Sequence, residues 1–260
     1  MDNLFSAERP FAEWKIQGFD GQPALLFPEL ESTHRYSKEH LQNLSAGDII
    51  VADSQTSGRG RHDRVWISPH GKNLYFNILY PLNGFQIREY PQLMQITAIS
   101  LSQLFHQIGV DSSVKWPNDI LFEKKKLCGM VSEILCKENQ KLLTVGIGID
   151  VNADEVDFQS IERPVTSLKI CLGKKLNREI LLQQIVESLK NAFEITLRCG
   201  ITPWIEEWRK MDKFLGHPAK IVDGDESIEG TILDINDDGS LLFCTKSGNL
   251  LSRYTGDLEI

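Results

Sequence analysis

Hydrophobic positions recur along the chain with two different periods, and the change of period outlines the elements. Helical spacing covers residues 91–108, where Gly109 ends the pattern, and a shorter helical pattern covers residues 33–44. A long helix is predicted from Asn177, a suitable N-cap, to Gly200, and another begins at Thr202-Pro203. Short apolar or alternating runs predict strands near residues 25–27, 49–51, 74–80, 112–116, 119–123, 127–136 and 141–150.

The pattern changes after Pro218. Short apolar runs now alternate with the turn dipeptides Asp223-Gly224, Asp238-Gly239 and Ser247-Gly248. Such spacing is typical of a small β-barrel of about five strands. The pattern therefore predicts an α+β domain over residues 1–213, followed by a small all-β domain over residues 214–260.

Composition places the chain among ordinary globular proteins, with 260 residues, 41% of them hydrophobic, and a net charge of −8. An acidic chain is a poor general binder of nucleic acid. No signal pattern opens the sequence, and no apolar run approaches the roughly 20 residues that span a bilayer. The five cysteines are odd in number and form no CxxC pair, which argues against a disulfide framework or zinc ribbon. A cytoplasmic protein without a membrane partner is expected.

The first segment with chemical character is Gly58-Arg59-Gly60-Arg61-His62-Asp63-Arg64-Val65-Trp66. Glycine lets the backbone approach a ligand, and arginine supplies a forked set of donors for carboxylate and phosphate. The segment, called here the arginine loop, can therefore fold over an anion and exclude water. A solvated basic loop is the alternative that charge alone leaves open.

Three further segments follow in order. Lys115-Trp116-Pro117-Asn118-Asp119 holds an amide and a carboxylate at the end of a strand, because Pro117 bars a regular strand there. Lys126 opens a buried strand three residues before Gly129. Gly146 and Gly148 lie within an apolar strand, which suggests close approach of a ligand or of another backbone segment. Taken singly, each segment also has an ordinary structural explanation. The first can be a turn that caps a strand, Lys126 can be a surface lysine, and the two glycines can mark a bulge.

Together and in this order the segments resemble one family, the biotin–protein ligases (holocarboxylase synthetases). The resemblance includes Glu31-Ser32-Thr33, Gln55 before the arginine loop and the segment Gly146 to Asn152, and it covers the chain from about residue 25 to its end. It implies an α+β fold with a mixed sheet packed with helices, of the class II synthetase-like or biotin–lipoate ligase-like type. A small SH3-like β-barrel would follow.

The resemblance also implies roles for individual residues. Arg59, Arg61 and Lys126 would be catalytic. Biotin would be bound by Ser32, Thr33, His34, Gln55, Arg59, Gly60, Arg61, Lys126, Gly129 and Gly146. ATP would be bound by Arg61, Arg64, Trp66, Asn118, Asp119 and Lys126, with Asp119 as a candidate Mg²⁺ ligand.

The activity implied by the resemblance has two steps. Biotin is activated by ATP, with Mg²⁺, to biotinyl-5'-AMP and diphosphate, and the biotinyl group then passes to a lysine of a biotin carboxyl carrier protein domain. No tightly bound prosthetic group is expected, and a homodimer is compatible with the fold. Only 31 residues precede Ser32, too few for the N-terminal DNA-binding domain of some family members, so no sequence-specific DNA binding is expected.

Two positions depart from the family pattern. His34 and Asp150 both stand where asparagine is usual, and Asn152 is a conceivable substitute for the second. A charged Asp150 would repel phosphate unless it faced Mg²⁺ or an arginine. These departures keep open a non-catalytic protein that binds biotin or its adenylate. A second alternative is a lipoate– or octanoate–protein ligase, which resembles this fold and also attaches an acyl group to a lysine, although the arginine loop and the Lys115–Asp119 motif favour biotin. A nucleic-acid-binding barrel is disfavoured, because the predicted barrel carries many acidic and few aromatic residues.

Overall fold

A computed structural model describes residues 4–62, 64–83, 85 and 90–260. Asp63 of the arginine loop lies outside the described residues.

A seven-stranded sheet forms the centre of the main domain. Its strands are β1 (Leu25–Phe27), β2 (Ile49–Ala52), β3 (Leu74–Pro81), β4 (Ser113–Lys115), β5 (Asp119–Phe122), β6 (Lys125–Lys137) and β7 (Gln140–Ile149), in the spatial order β1-β2-β3-β7-β6-β5-β4. The pair β1–β2 is parallel and the other neighbours are antiparallel. All seven predicted strands are confirmed, and the sheet is mixed, as the resemblance implied.

Five α-helices accompany the sheet within the described part of the chain: α1 (Thr33–Glu39), α2 (Tyr90–Gln107), α3 (Leu168–Leu172), α4 (Arg178–Cys199) and α5 (Thr202–Met211). The predicted cap of α4 is present, since the Asn177 side chain accepts a hydrogen bond of 3.1 Å from the Ile180 amide. Gly200 follows the helix with a positive φ of 72°. Among the described helices none is long and apolar enough to cross a membrane.

The helices divide the sheet into two unlike faces. Helices α2 and α4 pack on the face that carries Phe76, Ile78 and Ile147, in the main hydrophobic core. Side chains alternate along a strand, so Asn77, Leu79 and Gly146 point to the opposite face. There α1 covers only part of the sheet. The remaining, glycine-rich part of that face is where the candidate site lies.

A second sheet follows α5. Its strands are β8 (Pro218–Asp223), β9 (Glu226–Ile235), β10 (Leu241–Thr245), β11 (Leu250–Arg253) and β12 (Asp257–Glu259), all antiparallel in the order β11-β10-β9-β8-β12. The three predicted turns connect the first four strands, each with a glycine at positive φ. Five antiparallel strands agree with the predicted small barrel. The division after residue 213 stays a prediction.

Two elements differ from the sequence-based prediction. The helix expected over residues 33–44 ends at Glu39, and a 3-10 turn, Leu41–Asn43, follows. This turn places Leu44 in a small cluster with Ile50 and Leu79, so tertiary packing overrides the continuous helical spacing. The short helix α3 was not predicted, because its five residues are too few to show a period.

Candidate active site

The arginine loop folds back on itself as a short hairpin. Arg59 and Val65 form an antiparallel bridge, and the Gly60 amide donates to the Arg64 carbonyl at 2.7 Å. At the tip, His62 adopts a positive φ of 53°. Backbone hydrogen bonds therefore join the two arms of the loop, while the side chains of Arg59, His62 and Arg64 are exposed.

Trp66, at the end of this loop, lies flat against the sheet. Gly129 and Gly148 face each other across β6 and β7, and a Cβ atom on Gly148 would lie 2.5 Å from Trp66 Cε2. A Cβ on Gly129 would come within 2.9 Å of Trp66 Cζ3. Any side chain at Gly129 or Gly148 would collide with the indole, so both positions require glycine. The indole Nε1 is buried and has no hydrogen-bond partner in the described structure.

Lys126 lies beside the indole and is held by a carboxylate. Its Nζ is 5.5 Å from the Trp66 ring centroid and 2.6 Å from Asp119 Oδ1. Both side chains of this ion pair are largely buried, with exposures of 13% for Lys126 and 18% for Asp119. Backbone bonds to the segment after β7 hold the strand here, since the Lys126 amide donates to Pro164 O and its carbonyl accepts from the Thr166 amide. The ion pair and these backbone bonds thereby keep the ammonium group beside the Trp66 indole.

At the other end of the site, small polar groups line a buried corner. Ser32 caps α1, and the Thr33 amide donates to Gln55 Oε1 at 2.9 Å. Gln55 in turn donates from Nε2 to Ser68 Oγ at 3.0 Å. Ser32 and Thr33 are both buried. This corner offers hydroxyl and amide groups suited to a neutral ligand that both donates and accepts hydrogen bonds.

His34 extends the corner towards the sheet. Its Nδ1 lies 3.3 Å from Asn77 Oδ1, and its Nε2 lies 3.5 Å from Glu133 Oε2. Burial lowers the pKa of His34, while the bonds to Asn77 and Glu133 oppose the shift. A Cβ on Gly146 would lie 3.3 Å from His34 Cβ, so the glycine makes room for the imidazole.

Asn118 and Arg61 connect the loop to the turn between β4 and β5. The Asn118 amide group donates to Met130 O, and its Oδ1 accepts from Arg61 Nη1 at 3.4 Å. Arg61 Nη1 also donates to Gly256 O at 3.1 Å and lies 3.2 Å from Asp257 Oδ1. Residues from the C-terminal sheet thus border the site.

All fourteen residues predicted for the site line one cavity. Six further lining residues were missed: Met130, Val131, Ile147, Gly148, Arg163 and Asp257. Gly148 lies inside a quoted motif and could have been included. Arg163 and Asp257 carry no local signal, because each stands alone in a segment without a motif.

A second cavity of about 890 Å³ adjoins the first and shares six residues with it: Arg64, Trp66, Asp119, Lys126, Arg163 and Asp257. Lys115 and Asp150 also line the second cavity. Burial lowers the pKa of Lys115, which the neighbouring carboxylates of Asp119 and Asp257 partly offset. The first cavity carries an excess of basic side chains, whereas basic and acidic side chains are balanced around the second.

The structure explains the departure at Asp150, which directly follows β7. Asp150 is buried and accepts a hydrogen bond of 2.8 Å from Asn73 Nδ2, and burial raises its pKa well above the ordinary value. A neutral carboxyl group is close in shape to the asparagine amide and does not repel phosphate. The idea that Asn152 substitutes for it is wrong, since both ends of its amide bond the backbone of Leu176, at 2.8 and 2.9 Å.

Comparison with known proteins defines the class first. Residues 26–152 match the model of the biotin/lipoate A/B protein ligase family. This stretch contains both the arginine loop and the Lys126 strand, so the matched region carries most of the site.

Individual relatives narrow the assignment. The chain is 30% identical over 225 residues to the bifunctional ligase/repressor BirA of Escherichia coli, covering 86% of this chain and 70% of that one. It is 31% identical to BirA of Bacillus subtilis, covering 92% and 74%. The biotin protein ligase of Aquifex aeolicus, solved with biotin and ATP, superposes with a TM-score of 0.79 at 30% identity, covering 91% and 97%. The chain belongs to the biotin–protein ligases.

Proposed function

We propose that this chain activates biotin with ATP and transfers it to a lysine of a biotin carboxyl carrier protein domain. One observation carries the proposal: the residues that the family motifs assign to biotin and ATP all line a single cavity. The charges in that cavity suit the reaction, because it brings the carboxylate of biotin to a polyphosphate, and two anions meet only where cations offset their repulsion.

The two ends of the site suit the two substrates. The ureido ring of biotin both donates and accepts hydrogen bonds, which matches the corner formed by Ser32, Thr33 and Gln55. Its carboxylate would then reach Arg59, Arg61 and Lys126. The nucleotide would extend past Trp66 into the adjoining cavity.

In the first step a carboxylate oxygen attacks the α-phosphorus of ATP, and the bond to the β-phosphate breaks as diphosphate leaves. Arg61, Arg64 and Lys126 stabilise the negative charge that collects on the phosphate oxygens. Asp119, which borders the cavity and pairs with Lys126, would hold Mg²⁺, an ion that nucleotide sites bind with one or two carboxylates and the phosphates themselves. When bound, Mg²⁺ would neutralise phosphate charge.

In the second step the neutral amine of the acceptor lysine attacks the carbonyl carbon of the mixed anhydride. The carbon–oxygen bond to AMP breaks, AMP leaves, and the new amide nitrogen loses a proton. No enzyme nucleophile is required. Closure of the arginine loop over the bound adenylate would keep water from the anhydride.

Pyrophosphate exchange into ATP tests the first step directly. Exchange should occur with biotin and not with lipoate or octanoate. Arg61→Ala should abolish it, whereas Arg198→Ala, at an exposed position near the end of α4, should not change it. Exchange with lipoate or octanoate instead would assign the chain to the other branch of the family, and binding of biotin without any exchange would indicate a non-catalytic binding protein. Transfer of labelled biotin to a purified carrier domain tests the second step.

A further inference from the structure

One carboxylate from the C-terminal sheet faces the tip of the arginine loop. Asp257, the first residue of β12, has a side chain that is only 14% exposed. Its Oδ1 lies 3.2 Å from Arg61 Nη1, and its Oδ2 accepts a hydrogen bond from Arg64 Nη2. His62 Nε2 is 3.8 Å from the same Oδ2. Three basic side chains of the loop therefore converge on a single carboxylate that lies almost 200 residues further along the chain.

The backbone next to Asp257 is shaped for the same contact. Gly256 has a φ of +121°, a conformation that L side chains rarely adopt, and its carbonyl accepts from Arg61 Nη1 at 3.1 Å. Strand β12 pairs with β8 through Leu258 and Ile221, both buried. The acceptors for Arg61 are thus fixed on a paired strand rather than on a free chain end.

The charges around the site explain why such an acceptor is needed. Arg61, Arg64 and Lys126 all line the first cavity, and like charges in one site repel each other. Asp119 offsets the charge of Lys126 at 2.6 Å. Among the described residues that line the first cavity, the carboxylates are Asp119, which pairs with Lys126, and Asp257, which faces the loop from the second sheet.

We propose that Asp257 is a positioning residue for adenylation, which holds Arg61 and Arg64 over the site from the C-terminal sheet. This inference rests on the proposed function. Arg61 reaches Asn118, Gly256 and Asp257 through Nη1. A guanidinium carries further N–H donors on Nε and Nη2, so the opposite edge can meet a phosphate while Asp257 is bound. Docking of the C-terminal sheet then sets the geometry of the catalytic loop.

The test is Asp257→Asn in the full chain, assayed by biotin-dependent pyrophosphate exchange. We expect kcat to fall by roughly tenfold or more with a small change in the KM for ATP, since misplacement of a catalytic group costs rate. Asp257→Glu should recover part of the rate. Glu229→Gln is the matched control, because Glu229 is an exposed carboxylate of the same sheet that pairs with Lys246.

A second measurement does not depend on activity. Trypsin cleaves after arginine, so loss of the Asp257 contact should speed cleavage within the arginine loop of Asp257→Asn, without a comparable change in Asp257→Glu or Glu229→Gln. An unchanged kcat, or a lower KM for ATP at unchanged kcat, would show that Asp257 only competes with phosphate and would overturn the inference. Equal cleavage of the loop in all variants would also overturn it. Absence of exchange in the unmodified chain would refute the proposed function instead, and the proteolysis would still report on Asp257.

Discussion

The ion pair between Lys126 and Asp119 allows the catalytic and structural contributions of one lysine to be separated. Lys126→Met keeps most of the side-chain volume and removes the charge. In the unmodified chain, Lys126 Nζ is 2.6 Å from Asp119 Oδ1, and the two side chains are 13% and 18% exposed. The substitution therefore removes a cation from the reaction site and also leaves a mostly buried carboxylate without its partner.

The two effects have different magnitudes. Loss of one cation that stabilises transition-state charge costs about 3 kcal/mol, so kcat should fall on the order of 100-fold or more. Leaving a fully buried carboxylate unpaired costs about 3–5 kcal/mol, and residual exposure of this pair reduces that to about 2 kcal/mol. For a chain of this size the melting temperature should drop by roughly 4–8 °C.

The double variant Lys126→Met/Asp119→Asn distinguishes them. Removing both charges should restore most of the lost melting temperature, because no unpaired carboxylate remains, while pyrophosphate exchange stays low. Lys125→Met, at an exposed position in the same run of lysines, is the control and should change neither quantity. Recovery of exchange in the double variant would refute the catalytic role of Lys126, and so would full activity in Lys126→Met.

Three further outcomes are expected. Gly148→Ala should raise the KM for ATP roughly tenfold in steady-state kinetics. The added Cβ would lie 2.5 Å from Trp66 Cε2, so the indole must shift by about 1 Å to reach an ordinary contact distance. An unchanged KM would contradict this. Asp150→Asn should keep the rate of pyrophosphate exchange at pH 7 within about threefold of that of the unmodified chain. Burial raises the pKa of Asp150 and favours its neutral form, which an amide mimics. A loss of about 30-fold would mean that the carboxylate is needed. Burial also raises the pKa of Asp212 to about 6. As the pH rises from about 4 to about 6, the folded chain should therefore lose up to about 3 kcal/mol of stability relative to Asp212→Asn. Urea unfolding across that range should show the difference, and parallel stability curves for the two proteins would refute it.

The regular elements were predictable because their signals are local. The spacing of apolar residues, the Asn177 cap and the terminal Gly200 all lie within helix α4 or at its ends. The glycine-containing turns of the C-terminal sheet are local in the same way. Where a tertiary contact competed with the local pattern, prediction failed: the helix expected over residues 33–44 ends at Glu39, and Leu44 packs in a separate cluster.

The candidate site was largely predictable for a related reason. Its motifs are short stretches whose order along the chain is itself informative, and the residues drawn from them line one cavity. The spacing of glycines also anticipated a close approach at β6 and β7. That the approaching group is the Trp66 indole was not predictable, because it follows from the register that sets Gly129 opposite Gly148.

The sequence by itself determined the family, the order of most elements and fourteen of the residues that line the site, since each depends on neighbours along the chain. Only the tertiary structure decided which charges meet and which groups lose their solvent. It pairs Lys126 with Asp119, and it brings Asp257 to Arg61 across 195 intervening residues. It also buries Asp150 beside Asn73, which changes the protonation that the carboxyl group favours. Coulomb interactions depend on distance through space, and desolvation depends on access to water. Neither quantity can be inferred from neighbouring residues in the sequence.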